Sequence, residues 1–394
     1  MTHISAVSKQ WASRPAAQRF VSLDDMAAQA KTDRQNSTGK VVSTRSFEFK
    51  AVGDDHKGLV IQGPSNQHQI TNYSFGQLSA LAKAPAGYLR TLPAELVADN
   101  LNYGMRFNRD AEDVGVLLTR KVGHIAPGGD VQVSPGAALD GSMSAQYIEL
   151  RAATGPNYGR VWNSDVIEAV RNTFGNGTRE TGSRWQVPGE FRKQVPITNA
   201  NTTFYYGDRS MMIYLADEQN DIEIPNRRGG TYGQLARGVI FWNSEVGEET
   251  LGMSMFLYDY TCMNRNIWGV RDLQEVRIRH TASAPDKWIE QMEPIATRLA
   301  NSSTEGIREV VVAAQAAKID EDLDAFFKRR QFTKPQATAI KATHEREEGR
   351  PIETLWDMSV ATSAYARDLK WEEDKMAMER RGGEFLTLAE KWAA

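Results

Sequence analysis

The stretch Arg237–Val270 reads RGVIFWNSEVGEETLGMSMFLYDYTCMNRNIWGV and decides the fold of this chain. An apolar run, 239–242, precedes a polar island, Asn243-Ser244-Glu245, and Gly247 follows the island. The second apolar run, 253–260, is too dense in apolar side chains for a protein surface, and it leads to the only cysteine, Cys262. The pattern predicts a strand, a polar turn, and a long second segment buried in the core.

Alternating and helical spacings divide the rest of the chain. Alternation along 41–49 and 114–119 predicts strands, and 59–61 predicts a partner strand for the first of them. Apolar residues three and four apart along 164–174 and after residue 286 predict helices. We therefore predict an α+β fold, with a mixed, mainly antiparallel sheet core and packed helices, followed by a helical C-terminal region. The expected parts are an N-terminal helical segment (1–40), an α+β core carrying the stretch above (41–285), and a helical C-terminal region (286–394).

Composition excludes several classes of protein. The chain has 394 residues, a formal net charge of -3, and 41% hydrophobic residues, which is ordinary for a globular protein. A near-neutral charge predicts no general attraction to nucleic acid, so such binding needs a local basic patch. No run of about 18 to 20 apolar residues occurs, so we expect no membrane partner. One cysteine permits no internal disulfide, which fits a reducing cytosol.

Nucleotide and metal motifs are missing from the sequence. It contains no phosphate-binding G-x-x-x-x-G-K-[ST] loop and no G-x-G-x-x-G that opens a helix. No two of its six histidines lie three or four residues apart, which is the spacing that zinc motifs use. We therefore expect neither a cofactor nor a bound metal. His280 follows an alternating strand, and a solvated strand face is the favoured interpretation for it, with a phosphate contact as the alternative.

Two interpretations of the polar island compete. In the catalytic one, Glu245 is a general base or metal ligand and Ser244 is a nucleophile. In the structural one, the Asn243 and Ser244 oxygens satisfy backbone N–H groups while Gly247 permits a tight bend. We favour the structural interpretation, because Ser244 lacks a nearby histidine in the sequence that could activate it. Cys262 is expected to be a buried, inert thiol.

The segment 171–237 is the candidate for nucleic-acid binding. Cations that neutralise phosphates and aromatic rings that stack on bases are what single-stranded nucleic acid requires. The candidate contact residues are Arg171, Arg179, Arg184, Trp185, Arg192, Lys193, Arg209, Arg227, Arg228 and Arg237. The alternative is that the aromatic residues belong to the core and the arginines to a solvated face. Nearby acids such as Glu180 and Asp208 weaken the local positive charge and favour this alternative slightly.

Several segments carry a resemblance to a known family. The polar island with its Val-Gly continuation, and a segment ending near cysteine and asparagine, resemble the signature of a phage- and plasmid-associated family, domain of unknown function 932. Phe75-Gly76-Gln77-Leu78 looks like the opening helix of that family, Tyr158–Asp165 looks like its R-A-x-L-S-x-R-Y segment, and Arg209–Met212 matches the strand before the signature. The run 262–266 departs from the usual cysteine-x-asparagine-glycine, so no role is carried over to it.

The resemblance implies a protein of phages or mobile elements, with a fold similar to Rad52-like single-strand annealing proteins. Together with the basic segment, it suggests a protein that binds single-stranded DNA, forms a homo-oligomeric ring or filament, and promotes strand annealing in recombination. A non-enzymatic interaction protein that acts on host defence or other host machinery is the alternative. A hydrolase or nuclease that uses Glu245 and Asp208 is a third hypothesis, and no metal-ligand spacing supports it.

Overall fold

The fold consists of two mainly antiparallel sheets with helices packed on them, and it is an α+β fold, as the sequence predicts. The computed structural model describes residues 16–52, 58–63, 67–107, 110–125, 131–132, 144–188, 196–217, 219–228, 231–259, 265–267, 276–369 and 372–393. The statements below concern these residues.

Sheet A contains the strands on both sides of the polar island. Its strands are β1 (Arg19–Phe20), β9 (Trp185–Gln186), β10 (Phe204–Tyr206), β11 (Met211–Asp217), β12 (Ile222–Arg228), β13 (Thr231–Asn243), β14 (Leu251–Asp259), β15 (Arg265–Ile267) and β16 (Val276–Ile278). The main path of hydrogen-bonded neighbours is β1-β10-β11-β13-β14-β15. The apolar run 239–242 lies in β13 and pairs antiparallel with β14, so the polar island is the turn between two central strands.

Sheet B is built from the N-terminal half of the chain. Its strands are β2 (Ser37–Ser43), β3 (Phe49–Val52), β4 (Gly58–Gln62), β5 (Gln67–Ile70), β6 (Asp113–Ile125), β7 (Val131–Gln132) and β8 (Ser144–Thr154). The main path is β2-β6-β8-β5-β4-β3, and only β5 and β8 among these neighbours run parallel. The single strand predicted along 41–49 is wrong, because a 3-10 turn at Thr44–Ser46 divides it: 41–43 belongs to β2, which pairs with β6, and only Phe49 lies in β3, which pairs antiparallel with β4.

The helices fall into an N-terminal and a C-terminal group. They are α1 (Leu23–Gln35), α2 (Asn72–Leu81), α3 (Ala86–Leu89), α4 (Ala94–Phe107), α5 (Asn163–Phe174), α6 (Ala284–Asn301), α7 (Glu305–Ala316), α8 (Leu323–Arg329), α9 (Lys334–Glu348), α10 (Leu355–Asp368) and α11 (Glu372–Ala393). Side-chain caps explain several starts: the Ser22 hydroxyl accepts from the Asp25 backbone N–H, and the Thr71 hydroxyl from that of Ser74. Helix α5 ends at Gly175, whose positive φ of 85° suits glycine.

Among the described residues, this arrangement produces two large hydrophobic cores and a small apolar cluster of Leu117, Ala152 and Val246. One face of sheet B packs on α2 and α4, with Leu78, Leu101 and Val116 fully or almost fully buried between them. Sheet A and the helices from α6 onward share a second core that also contains α1 and α5. The predicted boundary near residue 285 is therefore a change of secondary structure inside one core. The N-terminal boundary also differs, because β2 already begins at Ser37, directly after α1.

A buried ion pair lies inside the second core. The carboxylate of Asp217, at the end of β11, accepts from Nε and Nη2 of Arg237 at 3.0 and 2.9 Å. It also accepts from Nε and Nη2 of Arg184 at 3.0 and 2.6 Å. Burial alone would raise the pKa of Asp217, but hydrogen bonds from the two arginines and from Asn220 hold the pKa below its ordinary value. The carboxylate of Asp217 therefore neutralises the guanidinium of Arg237, which has no exposed surface.

We predict that Asp217→Ala lowers the free energy of unfolding by about 3 to 5 kcal/mol, because it leaves Arg237 charged and buried without its carboxylate partner, with only the Ser302 hydroxyl to accept from it. Arg184→Ala removes the partly exposed partner and costs about 1 kcal/mol or less. The difference shrinks as pH falls, since a carboxyl with a depressed folded pKa loses its contribution when it is protonated. Urea unfolding at neutral and acidic pH measures both variants, and equal losses at neutral pH would contradict the assignment.

Candidate nucleic-acid interface

Glu245 of the polar island joins the two sheets through Arg151 and Asn163. The three residues Arg151, Asn163 and Glu245 are called the clasp. Oε2 of Glu245, in the turn after β13, accepts from Nη1 of Arg151 on β8 at 3.1 Å. Oε1 accepts from the backbone N–H of Asn163, the first residue of α5, at 2.8 Å. Only 2% of each charged side chain of the pair is exposed. The carboxylate thereby ties sheet A, sheet B and α5 together at one point.

The neighbours of Glu245 are also engaged in the turn. Nδ2 of Asn243 donates to the Val161 carbonyl at 2.9 Å and to Oδ1 of Asn163 at 2.8 Å. The Ser244 hydroxyl donates to the Arg209 carbonyl at 2.8 Å and accepts from the backbone N–H of Glu248 at 3.0 Å. The predicted contact with a backbone N–H is therefore present for Ser244. It is wrong for Asn243, which engages through its amide nitrogen, while its Oδ1 has no partner among the described residues.

Gly247 and Gln77 complete the turn from the side of sheet B. Gly247 has a φ of 90°, and a Cβ there would lie 3.2 Å from Cγ2 of Thr154. Nε2 of Gln77 donates to the Val246 carbonyl at 2.8 Å, and its Oε1 accepts from the Ala153 backbone N–H at 2.9 Å. Cys262 lies outside the described residues. Within the described ranges, no cluster of three or more His, Cys, Asp or Glu side chains could hold a metal ion.

The predicted basic groove along 171–237 needs correction. Arg184 and Arg237 are both bound to Asp217, and Arg237 is fully buried. Trp185 is only 3% exposed and packs edge-to-face on Phe174, with ring centroids 5.1 Å apart, so it offers no face to a base. Sequence reasoning placed these three residues on a surface because the acid that neutralises the arginines is contributed by a different strand.

The other predicted contact residues are scattered. Arg171 lies 3.1 Å from a carboxylate oxygen of Asp24 and 3.4 Å from one of Glu168. Arg209 lies over the ring of Tyr73 and 3.7 Å from a carboxylate oxygen of Glu248, while Arg179 is exposed. Arg192 and Lys193, and the side chains of Arg227 and Arg228, lie outside what the structure describes.

A different set of residues forms a continuous stack of cations and rings, which we call the ladder. In spatial order it consists of Arg34, Trp162, Arg160, Tyr158 and His280. The guanidinium carbons of Arg34 and Arg160 lie 5.3 and 5.9 Å from the centroid of Trp162. Arg160 also lies 5.6 Å from the centroid of Tyr158, which stacks on His280 at 4.8 Å. All five residues are exposed or half-buried.

The clasp positions the ladder. Tyr158, Arg160 and Trp162 alternate with the buried residues Gly159 and Val161 and lead directly into α5. The Tyr158 hydroxyl donates to the Ser244 carbonyl at 2.7 Å, and Nε of Arg160 donates to the Glu245 carbonyl at 2.8 Å. The backbone of the clasp turn therefore fixes two consecutive rungs.

The two ends of the ladder are held differently. Arg34, in the last turn of α1, forms an ion pair with Asp165, in the first turn of α5, and both side chains are about 40% exposed. At the other end, Nδ1 of His280 lies 3.0 Å from the Gly159 carbonyl, and the backbone of Glu249 also hydrogen-bonds the ring. Burial lowers the pKa of His280, with Arg160 acting in the same direction against the hydrogen bond to Gly159, and the ring is neutral at neutral pH.

The guanidinium of Arg160 is the centre of the ladder. Burial lowers its pKa, opposed by Tyr158 and Glu245, but arginine remains charged at neutral pH. Among the described residues, only its Nε is hydrogen-bonded, and Nη1 lies against the backbone of β2 at Gly39. Its two terminal amino groups therefore retain N–H groups that can donate hydrogen bonds to an anion.

Part of the ladder has a signal in the sequence. The spacing Tyr158-x-Arg160-x-Trp162 places every second side chain on one side of an extended segment. This segment entered the sequence analysis only as part of the family resemblance. No sequence pattern indicates Arg34 or His280, because α1 and the segment after β16 come next to Trp162 and Tyr158 only in the folded chain.

Comparison with known proteins gives no match to a protein family, a curated protein or a solved structure. The resemblance to domain of unknown function 932 stays a prediction. Within the described part of the chain, each helix is too short or too polar to cross a lipid bilayer.

We predict that Glu245→Gln lowers the free energy of unfolding by about 3 to 5 kcal/mol, because Arg151 then stays charged and buried without its partner. The control is Glu248→Gln, whose partly exposed carboxylate faces Arg209 at 3.7 Å, and it costs about 1 kcal/mol or less. Chemical unfolding of both variants gives the comparison, and a Glu245→Gln protein as stable as the unaltered chain would refute the clasp.

Proposed function

We propose that this chain binds single-stranded DNA through the ladder and promotes strand annealing in recombination, as a protein of a phage or mobile element. The observation that carries the proposal is the alternation of two guanidinium groups with aromatic rings across one accessible surface. The cations serve the phosphates, and the rings between them hold the guanidinium groups in place by cation–π contact. Contact with phosphates carries no sequence information, so binding of this kind tolerates any sequence.

Further cations flank the ladder. Lys31 precedes Arg34 by three residues on α1, so the two side chains share one helix face. Arg279 precedes His280 in the segment after β16. Both flanking cations are exposed. This local basic strip supplies the patch that a chain with a net charge of -3 needs for contact with DNA.

The ion pair between Arg34 and Asp165 does not prevent phosphate binding. Both side chains are about 40% exposed, and a pair of that kind contributes about 1 kcal/mol or less to stability. A phosphate with its own charge can therefore replace the carboxylate at little cost. Arg160, whose terminal amino groups have no hydrogen bond among the described residues, needs no such exchange.

Annealing, assembly and location rest on the resemblance of 237–270 to domain of unknown function 932 and, through it, to Rad52-like annealing proteins. Such proteins pair two strands by holding them on a ring or filament, so we propose a homo-oligomer that acts in the host bacterial cytoplasm. The proposal assigns neither a cofactor nor a catalytic residue, because annealing needs no bond to be made or broken.

An interaction protein that acts on host defence or other host machinery is the second candidate. An aromatic stripe on α4 favours it: Tyr103 and Phe107 are 60% and 70% exposed, and their ring centroids lie 5.0 Å apart. Leu96 extends the stripe along the same helix and is 49% exposed. Exposed apolar rings on a helix face are typical of protein contacts. This candidate predicts no DNA binding in the assay below.

We predict that Arg34→Ala weakens binding to single-stranded DNA and lowers its salt dependence. Each phosphate contact contributes about -0.7 to the slope of log affinity against log salt, so the slope of the variant becomes shallower by about 0.7. The measurement is fluorescence anisotropy of a labelled oligothymidine of about 30 nucleotides, longer than the ~4 to 16 nucleotides that a single domain covers.

Arg346→Ala is the matched control. Arg346 is an exposed arginine paired with Glu347 and Asp368 in the C-terminal helices, far from the ladder in sequence and fold. It should leave affinity and slope unchanged. Salt-insensitive binding, or equal effects of the two variants, would overturn the role of the ladder. The mass of the unaltered protein in solution tests the annealing part of the proposal separately. A monomer would contradict annealing and leave only the binding of single-stranded DNA.

A further inference from the structure

A cavity of about 340 Å³ lies between α5 and α6, and Phe241 of β13 lines it from sheet A. Two alanines belong to its walls, Ala169 on α5 and Ala296 on α6. Small side chains on both helices leave a space that larger side chains would fill. The volume lies within the range of about 300 to 1,000 Å³ that is usual for pockets holding small organic molecules.

The inner wall of the cavity is apolar. Phe174, Phe241 and Trp288 contribute to it, and each of the three is buried. Phe174 and Phe241 pack edge-to-face with ring centroids 5.5 Å apart, so the core fixes their positions. Ile289 also lines the cavity and is exposed, so the apolar surface extends from the core to the solvent. A ligand complementary to this wall has an apolar body.

The charged side chains among the described residues of the lining are all acidic. They are Asp165 and Glu168 on α5 and Glu293 on α6. Asp165 is paired with Arg34, and a carboxylate oxygen of Glu168 lies 3.4 Å from Arg171. Glu293 is exposed and has no hydrogen bond or ion pair with another described residue. Its carboxylate is therefore the one best placed to pair with a cation on a ligand.

We propose that this cavity binds a small organic amine, with the apolar body of the amine between α5 and α6 and its ammonium group at Glu293. The apolar wall accepts any ligand of suitable shape. The acidic lining then selects for positive charge, because it repels a ligand that carries a carboxylate. None of the five ladder residues lines the cavity, so the inference goes beyond the proposed DNA binding and does not depend on it.

Phenylbutylamine, phenylbutanol and phenylbutyrate test this inference, because they share one apolar body and differ in charge. Titration of each into the unaltered protein, followed by ligand-detected NMR, gives three dissociation constants. The amine should bind about two- to fivefold more tightly than the alcohol, which is the effect of one exposed ion pair. The carboxylate should bind more weakly than the alcohol. Binding of none of the three, or equal binding of amine and carboxylate, would overturn the proposal.

Two variants locate the bound amine. Glu293→Gln should weaken binding of the amine about two- to fivefold and leave binding of the alcohol unchanged. Ala169→Leu should remove binding of both, because the longer side chain occupies the space between the helices while leucine remains a good helix former. The matched control is Glu290→Gln, at an exposed position of α6 outside the lining, which should retain the affinity for the amine.

A Glu293→Gln protein that binds the amine as tightly as the unaltered chain would contradict the assignment of Glu293. A folded Ala169→Leu protein that still binds the amine would place the ligand elsewhere and overturn the cavity. The titrations contain no DNA, so a failure here leaves the ladder untouched, and a failure of DNA binding leaves the cavity untouched.

Discussion

The ion pair between Arg151 and Glu245 is the interaction on which the rest of the structure depends. Removing two charges from water is expensive, and a buried pair persists only when further hydrogen bonds satisfy its remaining atoms. Here Glu245 also accepts from the Asn163 backbone, and Nη2 of Arg151 donates to the Asp208 carbonyl at 3.2 Å. Burial lowers the pKa of Arg151, but surrounding negative groups, Glu245 foremost, raise it above its ordinary value. Arg151 is therefore charged in the folded state, and its ion pair joins the two sheets beside a small apolar cluster of Leu117, Ala152 and Val246.

The same turn carries the proposed function. Its carbonyl groups hold Tyr158 and Arg160, and its carboxylate holds the start of α5, so the rungs of the ladder inherit their spacing from the clasp. A surface that binds successive phosphates needs cations at fixed positions, and backbone hydrogen bonds hold Arg160 more rigidly than side-chain contacts alone would. The residues that resemble a family signature therefore position the ladder and do not themselves form the surface proposed to bind DNA.

The sequence contained enough information for the elements and too little for the surface. Periodicity located β13, the polar turn and α5, because burial of one face imposes a repeat that side chains reveal directly. It placed Arg184 and Arg237 on a surface, because pairing with Asp217 depends on strand order, which no local pattern encodes. It also missed Arg34, which reaches Trp162 only when α1 packs on α5. The alternation of Tyr158, Arg160 and Trp162 is the one local sequence pattern that indicates the ladder. The same pattern is typical of an edge strand, so it does not by itself predict a binding surface.

Backbone hydrogen–deuterium exchange with and without an oligothymidine strand locates the contact with DNA without altering the chain. If the ladder binds the strand, exchange slows in the bound state along 30–41 and 156–165, which contain Arg34, the β2 edge and the three central rungs, with α9 unchanged as an internal reference. Slower exchange confined to other segments, such as α4 with its aromatic stripe, would contradict the claim that the ladder binds the strand.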